Sequence, residues 1–140
     1  MLEDTPIKLS EGAKIPTKGT EYAAGNDLYS NEDVLLRAGE LAKISTGISV
    51  SIPDGCFGLV APRSGLASKG IDVFGGVIDS DYIGEIKVML KNTSKETIEL
   101  NSGSRIAQLI ILPYIKPNFI QVDSLEETDR GSKGFGSTGK

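Results

Sequence analysis

The sequence predicts an all-β domain of the jelly-roll or β-sandwich type, with one very short helix. Three observations support this fold class: many short apolar runs with period-two alternation, frequent turn residues between them, and almost no helical periodicity. The clearest alternation is at Ile48, Val50 and Ile52, which are separated by Ser49 and Ser51. Seventeen glycines and six prolines supply the turns.

The predicted elements follow one another at short intervals along the chain. Apolar runs predict strands over residues 7–10, 41–52, 57–61, 86–90, 97–100 and 105–112. The helix is expected over residues 66–69, just after Pro62. The run over residues 105–112 is the most apolar, so we expect it in a sheet interior or a subunit interface.

Composition limits the possible classes of protein. The 140 residues suffice for one domain, and 39% hydrophobic residues suffice for a core. We divide the chain into a β domain, residues 1–123, and a flexible glycine-rich arm, residues 124–140. The formal charge of -4 argues against stable nucleic-acid binding, and the lack of a long apolar run argues against a membrane span.

Two features bear on the cellular compartment. Cys56 is the only cysteine, so an intrachain disulfide is impossible and a reducing compartment is expected. Residues 1–4 lack the basic and apolar parts of a signal peptide. We therefore expect an intracellular protein, in the cytoplasm or the nucleus.

The chain contains no histidine. This excludes histidine-based triads, histidine-ligated zinc and the commonest general base. Acid–base chemistry near neutral pH must then come from a carboxylate, Lys, Tyr, Cys or the backbone. A metal, if used, is expected to be a hard, oxygen-bound cation such as magnesium.

Asp79 follows the apolar pair Val77 and Ile78 and precedes a polar turn. Together with residues 86–90, this pattern predicts a β-hairpin. A carboxylate at the end of a buried strand requires compensation for its lost hydration. Two interpretations remain open at this point: Asp79 caps the turn, or it acts as a general base beside a pocket floored by the preceding glycines.

Three other segments carry candidate functional residues. Asp27, between small residues and an apolar pair, is either a turn residue or part of a site. Arg63 is followed by the hydroxyl and N–H groups of Ser64 and Gly65, which either bind an anion or form an ordinary helical turn. Gln108 lies within the most apolar run and needs either a backbone partner or a polar ligand.

The glycine-rich arm also allows two interpretations. It is either a disordered tail or a lid that is mobile when free and ordered on a ligand. Its glycine backbone, hydroxyl groups and two cations, Arg130 and Lys133, can wrap a polyphosphate. Phe135 is poorly explained as part of a linker but can stack on a base.

Taken in order, these segments resemble the five motifs of the trimeric deoxyuridine triphosphatase (dUTPase) family. The resemblance covers nearly the whole chain, and five motifs at these separations are highly specific. The motifs are residues 24–30 (AGNDLYS), 62–67 (PRSGLA), 76–82 (GVIDSDY), 105–110 (RIAQLI) and 130–139 (RGSKGFGSTG).

The resemblance implies a fold, a reaction and an assembly. The fold is a distorted jelly-roll, and the reaction is dUTP plus water to dUMP plus pyrophosphate, with Mg²⁺ as cofactor. Such activity keeps uracil out of DNA and supplies dUMP for thymidylate synthesis. The assembly is a homotrimer with three sites, each built from motifs one, two and four of one subunit, motif three of another and the arm of the remaining one.

The resemblance also assigns roles to individual residues. Asp79 resembles the carboxylate that activates the attacking water, and Asp27 the one that holds magnesium through water. Tyr82 resembles the ring that leaves no room for a 2′-hydroxyl, and Phe135 the ring stacked on uracil. The other implied substrate contacts are the phosphate ligands Arg63, Ser64, Gly65, Gln108 and Arg130, the uracil-reading segment at Gly76, Val77, Ile78 and Lys87, and the arm residues Gly136, Ser137 and Thr138.

Three positions depart from the family pattern. Asn26 stands where Tyr or Phe is usual, which should alter the packing beside Asp27. Ile83 stands where Arg is frequent, so a polar contact between subunits is expected to be missing. Lys133 occupies a position that is often small and either adds a phosphate contact or solvates the arm.

Three alternatives to a plain dUTPase remain. A bifunctional dCTP deaminase would share the fold, although the complete arm with Phe135 favours the plain enzyme. A catalytically silent dUTPase-fold binding module would not need Asp79, Arg63 and Arg130. A jelly-roll structural protein would not need five motifs suited to a ligand.

Overall fold

The computed structural model describes residues 2–136 of the chain. These residues form eleven strands and one short helix, α1, at Ser64–Ala67. The all-β prediction is therefore confirmed. The strands are β1 (Ile7–Leu9), β2 (Asn26–Tyr29), β3 (Val34–Leu36), β4 (Leu41–Ser45), β5 (Ile48–Val50), β6 (Cys56–Ala61), β7 (Ile71–Phe74), β8 (Val77–Ile78), β9 (Lys87–Asn92), β10 (Ile98–Leu100) and β11 (Arg105–Pro113).

The strands pair into four antiparallel sheets. The largest has the order β2-β11-β6-β8, and a second has the order β4-β9-β7. Two smaller pairs, β1 with β5 and β3 with β10, complete the architecture. Most partners are distant in sequence, so the pairing brings remote motifs to the same place.

The strands bury their apolar faces in one common core. Ile48, Val50 and Ile52 are all buried, so the predicted alternation is confirmed. In β9, Val88 and Leu90 are buried while Lys87, on the other face, is exposed. Burial of each such side chain contributes about 1.5–3 kcal/mol to folding.

Strand β11 is an interior strand of the largest sheet, between β2 and β6. Ile106, Ala107 and Leu109 are buried, as expected for a sheet interior. Residues 110–112 are only partly buried in the single chain.

The predicted hairpin between residues 77–78 and 86–90 is wrong in its pairing. β9 pairs with β4 and β7, whereas β8 pairs with β6 in the other sheet. Gly75 and Gly76 explain the change of sheet, because their φ angles of +69° and +103° turn the chain away from β7.

The helix begins two residues earlier than predicted, at Ser64 rather than at residue 66. Its single buried residue, Leu66, anchors it to the core. Within residues 2–136, we find no helix with the length and apolar character needed to cross a membrane.

Candidate active site

Asp27 lies at the centre of a charged cluster. Its Oδ1 lies 3.4 Å from Nε of Arg63, and its Oδ2 lies 3.7 Å from Nη1 of Arg105. Arg63 also donates a hydrogen bond from Nη1 to the Arg105 carbonyl oxygen, at 3.2 Å. Two guanidinium groups therefore face one carboxylate, and the excess positive charge can attract an anion.

The sheet register produces this cluster. In the pairing of β2 with β11, Asp27 is opposite Gln108, and in the pairing of β11 with β6, Gln108 is opposite Ala61. Arg63 follows two residues after the end of β6. The interpretation of Asp27 as a turn residue is wrong, because Asp27 lies within a strand.

Gln108 is held by the backbone. Its Nε2 donates to the Pro62 carbonyl oxygen at 2.9 Å, which confirms the backbone alternative. A Cβ at Gly25 would lie 1.9 Å from Gln108 Oε1, so a larger residue here would displace the Gln108 side chain. Gln108 Oε1 makes no hydrogen bond with another residue in the range 2–136, so it keeps acceptor capacity.

Ser64 and Gly65 form the first turn of α1, directly after Arg63. Both residues are exposed, and a Cβ at Gly65 would meet no atom within 4 Å. Their hydroxyl and N–H groups are therefore accessible beside the guanidinium of Arg63. The asparagine at position 26 donates from Nδ2 to the Leu109 carbonyl oxygen at 3.4 Å, a contact within the sheet.

A second group of predicted residues lines a separate, open cavity of about 470 Å³. Asp27, Arg63 and Gln108 are absent from its lining. The cavity is lined by Lys43, Val77, Ile78, Asp79, Tyr82, Glu85, Lys87 and Met89.

Strand β8 forms one wall of this cavity and is fixed to β6. The Val60 amide donates to the Gly76 carbonyl oxygen at 2.7 Å. A Cβ at Gly76 would lie 2.5 Å from the Val60 carbonyl oxygen. Glycine is therefore required at position 76 both for its φ angle and for the close approach of two backbones.

Asp79 begins the turn that carries Tyr82. The Tyr82 amide donates to the Asp79 carbonyl oxygen at 3.1 Å. The Asp79 side chain is exposed and makes no hydrogen bond or ion pair within the described part of the chain. The expectation that it ends a buried strand is wrong, since Val77 is also largely exposed.

The ring of Tyr82 is held by its own loop. Its hydroxyl donates to the Glu85 carbonyl oxygen at 2.6 Å. Gly84 lies against the ring, because a Cβ there would be 2.7 Å from the Tyr82 hydroxyl oxygen. About half of the residue remains exposed at the cavity.

Glu85 is one of the cavity residues to which the sequence assigned no role. Its Oε2 accepts hydrogen bonds from the Ser45 hydroxyl and, at 2.9 Å, from the Gly47 amide. The Ser45 bond is the largest cause that lowers the pKa of Glu85; partial burial opposes it, and the Gly47 amide and Lys87 reinforce it. A Glu next to a predicted turn carries no sequence signal for such partners.

Arg105, Lys43 and Met89 were also not assigned roles from the sequence. Arg105 stands at the start of a recognised motif, and its charge was the available signal. Lys43 and Met89 are opposite each other in the pairing of β4 with β9, which only the register reveals.

The arm is not joined to either group in the single chain. Arg130 donates from Nε to the Lys133 carbonyl oxygen at 2.7 Å, and the ring of Phe135 is fully exposed. No hydrogen bond or ion pair links residues 130–136 to the Asp27 cluster or to the cavity. Gly136 is the last described residue, and the predicted contacts of Ser137 and Thr138 lie outside the described residues.

The fold and the two groups of residues define an all-β protein with a cationic cluster suited to phosphate and a cavity suited to a small ring. Comparison with known families makes this class more specific. The dUTPase family model matches residues 11–139, and the chain belongs to this family. The family membership expected from the five motifs is confirmed.

Curated relatives agree with the family match. The chain is 53% identical over 133 residues to a Variola virus protein named deoxyuridine 5′-triphosphate nucleotidohydrolase, an alignment that covers 95% of this chain and 90% of the relative. It is 51% identical over 135 residues to a protein of the same name from Rattus norvegicus, covering 96% of this chain and 66% of the relative.

Solved structures share the fold. The dUTPase of Staphylococcus bacteriophage 80alpha with dUPNHPP has a TM-score of 0.91 at 34% identity, covering 99% of this chain and 100% of that chain. A mutant dUTPase from phage phi11 of S. aureus, described for the coordination of a structural Mg(II) ion, has a TM-score of 0.83 at 31% identity, covering 89% and 100%. The predicted dUTPase-type β fold is confirmed.

Proposed function

We propose that this protein hydrolyses dUTP to dUMP and pyrophosphate. The observation that carries the proposal is the convergence of Asp27, Arg63 and Gln108, which come from three remote motifs of a chain that belongs to the dUTPase family. The curated relatives are named for the same activity.

Asp79 is the general base of the proposed reaction. Its exposed carboxylate lies on the rim of the cavity and is not engaged by other described side chains, so it can accept a proton from a water molecule. The oxygen of that water attacks the α-phosphorus in line. The bond from the α-phosphorus to the bridging oxygen breaks, and pyrophosphate leaves with the electron pair.

The Asp27 cluster holds the triphosphate in this proposal. The guanidinium group of Arg63 supplies charged donors, and Ser64 and Gly65 follow it with exposed donors. Gln108 adds the second N–H of its Nε2, since the first is donated to the Pro62 carbonyl oxygen. Arg130 of the arm would bind the γ-phosphate. The positive excess of the cluster supports an anionic ligand at this place.

The donor set at Asp27 fits a magnesium ion that arrives with the triphosphate. Residues 2–136 contain no group of three or more carboxylate, Cys or His residues able to hold a metal. A single, largely buried carboxylate suits an ion that keeps most of its waters and takes phosphate oxygens directly. Asp27 would hold such an ion through water, and the ion would offset the charge of the triphosphate.

The cavity selects the nucleoside in this proposal. The backbone at Val77, Ile78 and Lys87, which line the cavity, and at the adjacent Gly76 reads the edge of uracil. Cytosine would leave these backbone groups unpaired. Tyr82 packs under deoxyribose and blocks a 2′-hydroxyl. Phe135, with Gly136, Ser137 and Thr138, would close over the base.

The proposed enzyme is a homotrimer with shared sites. The Asp27 cluster and the cavity are separate in one chain, which supports completion of each site by a second chain. Residues 114–125 follow β11 without forming a strand, and the large exposure of Ile115, Phe119 and Leu125 supports burial of this segment against another subunit.

Pyrophosphate release tests the proposal. The protein is incubated with dUTP, dCTP, dTTP or UTP, with magnesium or with a chelator. Magnesium-dependent release from dUTP alone is expected. Uracil products from dCTP would instead identify a bifunctional deaminase, and no release from any nucleotide would identify a silent binding module.

A further inference from the structure

We infer that Glu85 is a positioning residue that fixes the Tyr82 loop and thereby strengthens discrimination between deoxyribose and ribose. The inference rests on the proposed role of Tyr82 in that function. It concerns a side chain that lines the cavity but whose carboxylate is bound to the protein framework rather than directed to a reacting group.

The carboxylate of Glu85 joins the loop to the connection between β4 and β5. Its Oε2 accepts from the Ser45 hydroxyl and from the Gly47 amide, the latter at 2.9 Å. The next residue, Ile86, donates its amide to the Ile48 carbonyl oxygen at 2.8 Å and accepts from the Thr46 hydroxyl. Residues 85–86 are thus attached to residues 45–48 by four hydrogen bonds.

The β4–β5 connection is closely packed and hydrogen-bonded, so it is a suitable anchor. Gly47 has a φ angle of +71°, and a Cβ there would lie 2.5 Å from Ser10 Oγ and 2.8 Å from Ala13 Cβ. The Gly47 carbonyl oxygen accepts from the Ser10 amide at 2.8 Å and from the Ser10 hydroxyl at 3.1 Å. Thr46 is buried. This surrounding packing fixes the donors that Glu85 meets.

On its other side, Glu85 supports the ring of Tyr82. The Glu85 carbonyl oxygen accepts from the Tyr82 hydroxyl at 2.6 Å, and Gly84 lies against the ring. Any movement of the Glu85 backbone therefore moves the acceptor that sets the orientation of this ring. The lowered pKa of Glu85 is consistent with a carboxylate held by donors in its charged form.

Loss of the Glu85 carboxylate should therefore weaken the discrimination between deoxyribose and ribose. Without it, the donors of Ser45 and Gly47 lose their acceptor, and the loop over residues 79–85 gains freedom at the point where it leaves the framework. A looser ring excludes a 2′-hydroxyl less well, because exclusion depends on a fixed steric clash. A general loss of folding stability would lower turnover of dUTP and UTP together and leave their ratio unchanged.

The test compares Glu85→Ala with Glu32→Ala. Glu32 is the matched control, because its Oε2 accepts from the Ser45 amide at 2.7 Å but does not contact the Tyr82 loop. We expect Glu85→Ala to reduce the ratio of kcat/KM for dUTP to that for UTP by about tenfold or more, the effect of losing a charge-assisted hydrogen bond. Glu32→Ala should leave the ratio unchanged, and Glu85→Gln, which retains an acceptor for Gly47, should restore most of it.

An unchanged ratio in folded Glu85→Ala, or an equal fall in Glu32→Ala, overturns the inference. If Glu85→Ala does not fold, Ser45→Ala removes one donor only and should still lower the ratio; no change there also overturns it. Failure of the wild-type protein to hydrolyse dUTP would refute the proposed function instead. In that case, hydrogen exchange over residues 79–86 still tests the anchor, since it should accelerate in Glu85→Ala but not in Glu32→Ala.

Discussion

Gly76→Ala should disrupt the cavity by displacing the strand that forms one of its walls. The φ angle of Gly76 is +103°, a conformation that an alanine rarely adopts. The new Cβ would lie 2.5 Å from the Val60 carbonyl oxygen. That oxygen belongs to the backbone of β6, so no side-chain rotation relieves the clash.

The size of the stability loss follows from the φ angle and from this clash. The unfavourable backbone conformation costs about 1–3 kcal/mol. Relief of the clash requires β8 to move from β6, which weakens the 2.7 Å hydrogen bond from the Val60 amide to the Gly76 carbonyl oxygen and costs about a further 1 kcal/mol. We expect a fall of about 3 kcal/mol in the free energy of unfolding, with a loss of dUTP turnover of about tenfold or more.

Gly39→Ala is the matched control. Gly39 also has a positive φ angle, +78°, but a Cβ there would meet no atom within 4 Å. It should lose about 1–2 kcal/mol and keep its activity. Urea unfolding at equal protein concentration and pyrophosphate release measure the two effects. Equal stabilities and equal turnover in the two variants would refute the reasoning.

Four further predictions concern the proposed chemistry. Asp79→Asn should abolish turnover and leave dUTP binding, measured by calorimetry, largely intact; retained turnover would exclude Asp79 as the base. Removal of residues 129–140 should leave a folded trimer with little activity, and a fully active truncation would exclude the lid. Tyr82→Ala should raise activity on UTP relative to dUTP; unchanged discrimination would place sugar selection elsewhere. Because the pKa of Glu85 is lower in the folded chain than its ordinary value of 4.5, the charged carboxylate stabilises the folded chain at pH values above 4.5. This contribution to stability is lost as the pH falls through the pKa of the folded chain. In urea unfolding at a series of acidic pH values, the stability gap between wild type and Glu85→Gln should therefore narrow as the pH falls, and a constant gap would contradict the assignment.

The fold class was predictable because the apolar–polar alternation that indicates a strand lies within a few consecutive residues. The alternation at Ile48, Val50 and Ile52 reflects the two faces of β5 and of the residues that directly follow it, and it can be recognised without information from distant parts of the chain. The pairing was less predictable. Gly75 and Gly76 turn the chain so that β8 pairs with β6. The sequence shows only that two glycines permit a turn, and it does not show which strand β8 then meets.

The residues of the Asp27 cluster could be singled out where a motif contained them. Asp27, Arg63 and Gln108 were identified from separate motifs, and the sheet register brings them together. The role of Glu85 was not predictable, because its partners Ser45 and Gly47 lie some 40 residues earlier in the chain. Its proposed role depends on the conformation of the β4–β5 connection.

The measurement that tests the account most directly is complementation between two inactive variants, Asp79→Asn and Arg63→Ala. The first variant lacks the proposed general base in the cavity. The second lacks the Arg63 guanidinium group, which is proposed to bind phosphate in the Asp27 cluster. The variants are unfolded together in equal amounts, refolded and assayed for pyrophosphate release from dUTP. If each site combines the cluster of one subunit with the cavity of another, every mixed trimer contains one intact site, and the mixture should recover about a quarter of wild-type activity. If the mixture remains as inactive as either variant alone, while wild type refolds to full activity, the site is not shared between subunits and the account is wrong.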